Sequence, residues 1–278
     1  LFAGDGCCRG VAPNKDPKGK ELIKKDEKFI GAYVQDPQRG KYEWVYDLDI
    51  TSMYPSTIMS LNISPETKVG KVDGWNAREF VTGINKTYTL VNKSGKEVKL
   101  SEVKLKEYLD NNNVSISTNG VIYRNNKKGL IPSLLSSWFD KRNEYRKLMK
   151  KFADEDNMDK YQYFNRMQYI QKVVLNSLYG VLGLPVFRFY DLDNAEAVTT
   201  TGQELIKYTK VIGNHFYNNE LGDEKDYCIY IDTDSVFFSA LPLIEKRFPN
   251  QKLSDVMMTQ RISEIASEVQ SFINRMYG

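Results

Sequence analysis

Apolar and polar positions along the chain fall into short β-like runs separated by long helical stripes. Between Phe29 and Ile50 the β-formers Tyr33, Val34, Tyr42, Trp44, Val45 and Tyr46 gather around Asp36-Pro37-Gln38-Arg39-Gly40. This predicts a hairpin whose last strand runs into Asp47-Leu48-Asp49. A helix is expected over 52–61, with Pro55 tolerable only in its first turn. Residues 68–128 are polar and mixed; short strands are expected at 87–91 and 121–123 and a short helix at 101–109, with no chemistry visible. Two long helical patterns, 131–152 and 160–182, flank the acidic turn Asp154-Glu155-Asp156 and predict a helical hairpin. A third helix spans about 194–216. Then Tyr227-Cys-Ile-Tyr-Ile231 and Val236-Phe-Phe238 flank Asp232-Thr-Asp-Ser235: a strand, a tight turn and a strand. A final amphipathic helix covers 254–277, whereas 1–28 has no period and reads as an irregular lead-in.

With 278 residues, 41% hydrophobic and 27% charged, the chain has the makeup of a globular protein with a sizeable core. No apolar run approaches the roughly 20 residues that cross a bilayer, so a cytoplasmic location with no membrane partner is the default expectation. The net charge of +3 is too balanced to signal nucleic acid by itself. Distribution says more: nine Lys or Arg stand between Arg124 and Lys151 against two acids, Asp140 and Glu144. Cys7, Cys8 and Cys228 have neither CxxC spacing nor a disulfide framework and read as reduced thiols. His215, the sole histidine, reads as a packing or surface residue, and Gly4-Asp-Gly6 with Gly10 has the wrong spacing for a dinucleotide loop.

The candidate chemistry lies in two acidic clusters at strand ends, Asp47/Asp49 and Asp232/Asp234. A carboxylate beside a buried strand is expensive unless a cation or donor compensates it. Hard oxygen donors of this kind suit magnesium, which binds one or two carboxylates together with substrate phosphates. Taken alone, Asp232-Thr-Asp-Ser235 reads equally as a polar hairpin turn.

Its neighbours along the chain change the weighting. Asp49-Ile-Thr-Ser-Met-Tyr-Pro-Ser56 resembles the family B DNA polymerase motif A (DxxSLYPS), and Lys172-Val-Val-Leu-Asn-Ser-Leu-Tyr-Gly180 resembles motif B (KxxxNSxYG). Asp232-Thr-Asp-Ser235 is identical to the core of motif C. Between them, Asn62-Ile-Ser-Pro-Glu-Thr67, Asn119-Gly-Val-Ile-Tyr123, Gly129-Leu-Ile-Pro132 and Phe187-Arg-Phe-Tyr-Asp-Leu192 look like the branch containing T-even bacteriophage replicative polymerases. The resemblance covers about 29–278. Asp47 is an additional acid two residues before the motif A aspartate; Asp49 is the match, because Ser-Met-Tyr-Pro-Ser follows it in register.

The resemblance implies an α+β fold, with an antiparallel-sheet palm carrying the catalytic carboxylates and an inserted helical-hairpin fingers domain. Its parts would be 29–128 (palm, with motif A and a mixed insertion), 129–182 (fingers, with motif B) and 183–278 (palm, with motif C). It implies template-directed addition of dNTP to a primer 3′-hydroxyl with two Mg2+ ions, held by Asp49, Asp234, Asp232 and the carbonyl of Ile50. The amides of Ser52 and Met53 would meet the triphosphate, and Tyr54 would lie under the sugar as a steric gate. Arg142 and Arg146 share a helix face at i, i+4, and Lys172, Asn176 and Tyr179 share another. Arg142, Arg146 and Lys172 would then take the phosphates and Asn176 the incoming nucleotide, with Tyr179 and Gly180 against the nascent pair and template. Arg146 stands where relatives of this branch carry lysine.

The same resemblance names primer–template DNA, dNTP, a complementary polymerase chain with thumb or exonuclease, and a sliding clamp as partners. The expected setting is a phage-infected or prokaryotic host cell. No DxE-type exonuclease region is read before Phe29 and no basic thumb after Gly278, so the isolated chain is expected to be a poor, distributive polymerase. The alternative is a catalytically incomplete piece that binds nucleic acid or a partner chain. A reverse transcriptase or nucleotide cyclase is disfavoured by Tyr230-Ile-Asp-Thr-Asp-Ser in place of a YxDD-like turn, and by motif B.

Overall fold

A computed structural model describes residues 31–83, 86–249, 251 and 254–277. The lead-in 1–28, with Cys7 and Cys8, lies outside them. In chain order the strands are β1 (Val34–Gln35), β2 (Val45–Asp49), β3 (Lys68–Asp73), β4 (Thr87–Asn92), β5 (Glu97–Ser101), β6 (Val114–Ile116), β7 (Val121–Arg124), β8 (Cys228–Asp232) and β9 (Ser235–Ser239). The helices are α1 (Met53–Leu61), α2 (Ala77–Thr82), α3 (Glu102–Asn111), α4 (Leu130–Asp154), α5 (Met158–Leu182), α6 (Leu192–Leu221), α7 (Leu241–Arg247) and α8 (Asp255–Tyr277). The chain is α+β, with antiparallel sheets, and divides into two units.

One unit comprises residues 32–53 and 202–278 and carries a four-stranded sheet in the order β1-β8-β9-β2. The expected hairpin over 29–50 is not formed. β1 pairs with β8, β2 pairs with β9, and the β8–β9 hairpin lies between them. The cause is visible at Gln38, whose side-chain amide donates to the carbonyls of Asp226 and Cys228 at 3.0 and 2.9 Å. Its backbone N–H donates to Ile229 at 2.9 Å, so the segment after β1 follows β8 instead of folding back. The buried face of this sheet, with Tyr46, Ile231, Val236 and Phe238, packs with Ile206, Ile212 and Tyr217 of α6. Met258, Ile265, Val269 and Ile273 of α8 complete the core at helical spacing. Gly213 permits the close approach of α6, since a Cβ there would sit 2.5 Å from the Phe238 ring. Tyr217 donates to the carbonyl of Ser239 at 2.9 Å and lies 3.1 Å from the Tyr46 hydroxyl, satisfying both polar groups inside the core. Cys228 is a buried free thiol, and burial pushes it up to about 11.

The other unit is built on residues 54–201. Its five-stranded sheet has the order β5-β4-β3-β7-β6, and Val72, Tyr88 and Ile122 pack with Leu105 of α3. The strands expected at 87–91 and 121–123 are present, whereas β3, β5 and β6 add to the expectation. α4 and α5 form the expected helical hairpin. At its base Ile131, Leu135, Leu175, Leu178 and Leu182 form one core with Ile58, Ile63 and Tyr123. Farther out, Phe152 stacks on Phe164 with ring centres 5.5 Å apart, and the Lys160 ammonium stands 4.7 Å from the Phe152 ring. Asn157 accepts from Lys160 N–H at 3.2 Å and caps α5.

β3 is tied to the start of α6 by an ion cluster that the sequence did not reveal. Lys68 Nζ donates to both carboxylate oxygens of Asp191 and to Asp193, and Lys71 Nζ donates to Asp193 at 2.6 Å. Burial pushes the Asp193 carboxyl up, but the hydrogen bonds and charges of both lysines outweigh it and hold the group below its ordinary value. A depressed carboxyl contributes stability above its unfolded value of about 3.9, and that stability is lost as pH falls through the folded value. Asp193→Asn is therefore expected to lower Tm at pH 7 by about 2–4 °C, corresponding to about 1 kcal/mol for a partly exposed pair. The gap between variant and parent should narrow progressively as pH falls below about 4 toward the lower folded value. Thermal melts at pH 7 and pH 3.5 are the check, and an unchanged gap would contradict it.

Candidate active site

In the sheet β1-β8-β9-β2 the acids gather at one end. Ser235, the first residue of β9, is opposite Asp49 of β2 on one side and Asp232 of β8 on the other. Directly opposed residues share a face, so Asp49, Ser235 and Asp232 form a single row across three strands, with the carboxylates at its outer positions. Neighbouring strands lie about 4.8 Å apart, which separates the two aspartate positions by roughly 10 Å. Asp234 stands in the two-residue turn between β8 and β9. Its carbonyl accepts from Ile50 N–H at 2.9 Å, which fastens the motif A segment to the turn.

Local bonds hold the acids in place. Ser235 Oγ donates to Asp49 Oδ2 at 3.4 Å, Thr233 Oγ1 donates to Asp232 Oδ1 at 3.0 Å, and Thr233 N–H donates to Tyr33. The backbone turns sharply at both segments: Thr233 has φ +56° and Ser52 has φ +50°, left-handed values that ordinary side chains avoid. Asp49 and Asp232 are exposed to solvent. The desolvation cost expected for an acid beside an apolar strand is thus avoided, because each strand ends as it reaches the surface. Asp47 also faces outward, but it is opposite Phe237, two residues farther from the turn. Beside Asp49, a cleft of about 380 Å3 opens between the end of β2 and helices α6 and α8, lined by Thr51, Leu205, Thr209, Gln270 and Tyr277 among others. Among the described residues no three His, Cys, Asp or Glu side chains converge as a ready metal cage.

The remaining sequence-derived candidates belong to the other unit, apart from Ser52 and Met53, which stand at the start of α1. On α4, Arg142 is half-buried, its Nε has no hydrogen-bond partner among the described residues, and Arg146 is exposed one turn on. Burial first, and the charge of Arg146 second, pull the Arg142 guanidinium below its ordinary value. A buried donor without a partner is costly, and an anion would relieve the cost. On α5, Lys172 and Asn176 are exposed and Tyr179 is half-buried. The Tyr179 ring lies 4.2 Å from the Tyr54 ring, centre to centre, at 33°. Burial, then proximity to Tyr54, pushes the Tyr179 phenol up to about 12. Next to it, no atom outside the helix lies within 4 Å of where a Gly180 Cβ would be, so this stretch of α5 is open. Sequence reasoning paired Asp49 with the Asp232-Thr-Asp-Ser235 turn but missed Ser235 as its centre.

The comparisons with known proteins agree with the motifs. The DNA polymerase family B profile matches residues 11–247. The DNA-directed DNA polymerases of Escherichia phage RB69 and Enterobacteria phage T4 are 27% and 28% identical over 78% and 79% of this chain. The DNA polymerase of Thermococcus gorgonarius is 30% identical over 84% of it. The matches cover 27%, 28% and 24% of those proteins, so this chain spans about a quarter of the length of the relatives it matches. No helix among the described residues is long and apolar enough to cross a membrane. The chain belongs to DNA polymerase family B.

Proposed function

We propose that the chain carries out template-directed DNA synthesis, transferring a nucleotidyl group from dNTP to a primer 3′-hydroxyl with release of pyrophosphate. The observation that carries this reading is the Asp49–Ser235–Asp232 row with Asp234 in the adjoining turn. The exposed carboxylates of Asp49 and Asp232 are hard oxygen donors open to solvent, which suits magnesium, an ion that keeps waters and takes only one or two carboxylates with substrate phosphates. Asp49 and Asp234, with Asp232 and the carbonyl of Ile50, would hold the ions. Two magnesium ions, when bound, would supply charge neutralisation for an in-line displacement.

The protein side chains do the remaining work. Arg142, Arg146 and Lys172 bind and orient the triphosphate as fixed donors, helped by the amides of Ser52 and Met53. Tyr54, braced by Tyr179, packs under the sugar and rejects a 2′-hydroxyl by shape. Asn176 is placed for the incoming nucleotide, and Tyr179 with the open surface at Gly180 receives the nascent pair and template. In domain terms, the sheet β1-β8-β9-β2 is the palm and α4–α5 are the fingers. Primer–template DNA is the partner, and a complementary chain with thumb or exonuclease, or a sliding clamp, completes the assembly.

Primer extension with dNTP and rNTP tests the reading. The chain should extend a primer with dNTP and discriminate against rNTP, and Tyr54→Ala should narrow the ratio of the two kcat/KM values by on the order of 10²-fold. An unchanged ratio would make Tyr54 a core aromatic. Primer–template binding with no extension at all would favour the second reading, a nucleic-acid-binding piece that does not catalyse alone.

A further inference from the structure

The seam between α4 and α5 is apolar at its base and toward its tip, and polar in between. On α4 the positions 131, 135, 138, 142, 145, 149 and 152 alternate steps of four and three residues and are buried or half-buried. The same holds on α5 for 161, 164, 168, 171, 175, 178 and 182. That spacing puts each set on one helix stripe, and the two stripes face each other in the hairpin. At the base Leu135 shares a core with Leu175 and Leu178. Toward the tip Phe164 lies against both Tyr145 and Phe152, with ring centres 6.1 and 5.5 Å apart. Between these apolar ends the stripe carries Arg142 on α4 and Gln168 and Gln171 on α5.

This polar layer is left unsatisfied. Arg142 Nε and Gln171 Oε1 are the only buried side-chain polar atoms of α4 and α5 without a hydrogen-bond partner among the described residues. One is a donor and the other an acceptor. Gln168, by contrast, donates through its amide to Asn165 at 3.0 Å. The ring contacts set the level of the two orphans. Phe164 touches Tyr145 and Phe152, so it stands level with the stretch of α4 halfway between them. Arg142 lies six to seven residues toward the base from that stretch, and Gln171 lies seven residues toward the base from Phe164. In an antiparallel pair the two therefore come to the same height. Each orphan is costly alone, and each is what the other lacks.

We propose that Gln171 is a positioning residue for Arg142: its Oε1 accepts one guanidinium N–H across the seam and fixes the plane of the fork, so that the remaining donors meet the triphosphate of the incoming nucleotide. The proposal rests on the polymerase reading above. A guanidinium carries five N–H donors in one plane, so engaging one leaves a bidentate pair for a phosphate. A neutral amide suits this task, because it orients the cation without cancelling the charge that the phosphates need. Lys172, next in sequence, is exposed, whereas Gln171 stands in the seam. Hydrogen bonds of this kind are often unmade in a free enzyme and tighten when substrate binds, and a small turn of the Arg142 side chain closes this one. Both residues belong to the hairpin, so the bond does not depend on where the hairpin stands on its base.

The test combines single-nucleotide addition with proton exchange at the Arg142 Nε–H, whose NMR signal is assigned by its loss in Arg142→Ala. Gln171→Met keeps the length of the side chain and removes the amide. It should raise KM for dNTP about tenfold, as for loss of one hydrogen bond to a charged group, with kcat within about threefold. In an Arg142→Ala background the same change should add less than about twofold to KM, because the group it positions is gone. With a dideoxy-terminated primer–template and dNTP, the Nε–H should exchange slowly in the parent and fast in Gln171→Met. In Gln171→Glu it should be slow even without dNTP while KM rises, because a carboxylate holds the cation but opposes the phosphates. The same KM increase in both Arg142 backgrounds, or an Nε–H that behaves alike in the parent and Gln171→Met, would overturn the proposal and leave Gln171 a packing residue of the seam. If Gln171→Met does not fold, Gln171→Leu takes its place, and failure of both to fold would overturn it as well. If the parent chain adds no nucleotide, the polymerase reading fails by that result. The Nε–H then decides with inorganic triphosphate as the probe: slow exchange in the parent alone supports the pair, and equal exchange in Gln171→Met rejects it.

Discussion

Asp49→Asn and Asp234→Asn are each expected to lower nucleotide addition by on the order of 10²–10³-fold or more while leaving the fold in place, because each removes a charged oxygen donor from the end of the sheet β1-β8-β9-β2. The fold should survive because Asp49 is exposed and its side chain meets Ser235 through a long contact of 3.4 Å, while Asp234 is anchored to Ile50 through its backbone carbonyl. Asparagine keeps the size and one oxygen but loses the charge, so packing is preserved and only electrostatics change. Primer extension beside circular dichroism measures both halves of the claim. Activity within tenfold of the parent for either variant would remove these residues from the catalytic centre.

The second large effect concerns the cations of α4 and α5. Arg142→Ala and Lys172→Ala are each expected to reduce kcat/KM for dNTP by on the order of 10–10²-fold, as for loss of a charge-assisted bond worth about 1.5–3 kcal/mol. Primer–template affinity should stay within about twofold, because these residues are assigned to the triphosphate and not to the duplex. Arg142 should show the larger loss. Its buried Nε has no partner among the described residues, so a bound anion would gain a donor already stripped of water. Removing either cation and losing duplex binding instead would reassign this face of the hairpin to DNA phosphates, with a flatter salt dependence as the signature.

The long elements were legible because their periodicity is strong and local. The stripes of α4 and α5, the β8–turn–β9 hairpin and the run into Asp49 can each be read within a window of about 20 residues. The pairing of 33–49 could not be read that way. Its partners are some 190 residues along the chain, as the Gln38 bonds to Asp226 and Cys228 show, and local turn signals at Pro37 and Gly40 pointed to the wrong neighbour. β3 and β5 were hidden by composition. Lys68-Val-Gly-Lys-Val-Asp73 and Glu97-Val-Lys-Leu-Ser101 bury few side chains, and their pairing across β4 holds them in place. In the candidate site, motif spacing indicated the acids, but not the way Ser235 places two of them in one row. The cap of α4 was equally silent: Asn62, Glu66 and Ser64 accept from the N–H groups of Gly129, Leu130 and Ile131, and a helix start without a local capping side chain gives no sign of where its acceptors lie.

The most direct measurement of the central claim is single-nucleotide addition on four primer–templates that differ only in the first unpaired template base, with one dNTP supplied at a time. If the Asp49–Ser235–Asp232 row serves template-directed synthesis, the nucleotide added is the complement of the template base in all four cases, and addition disappears in Asp49→Asn. Addition that ignores the template base, or that survives in Asp49→Asn, would contradict the account.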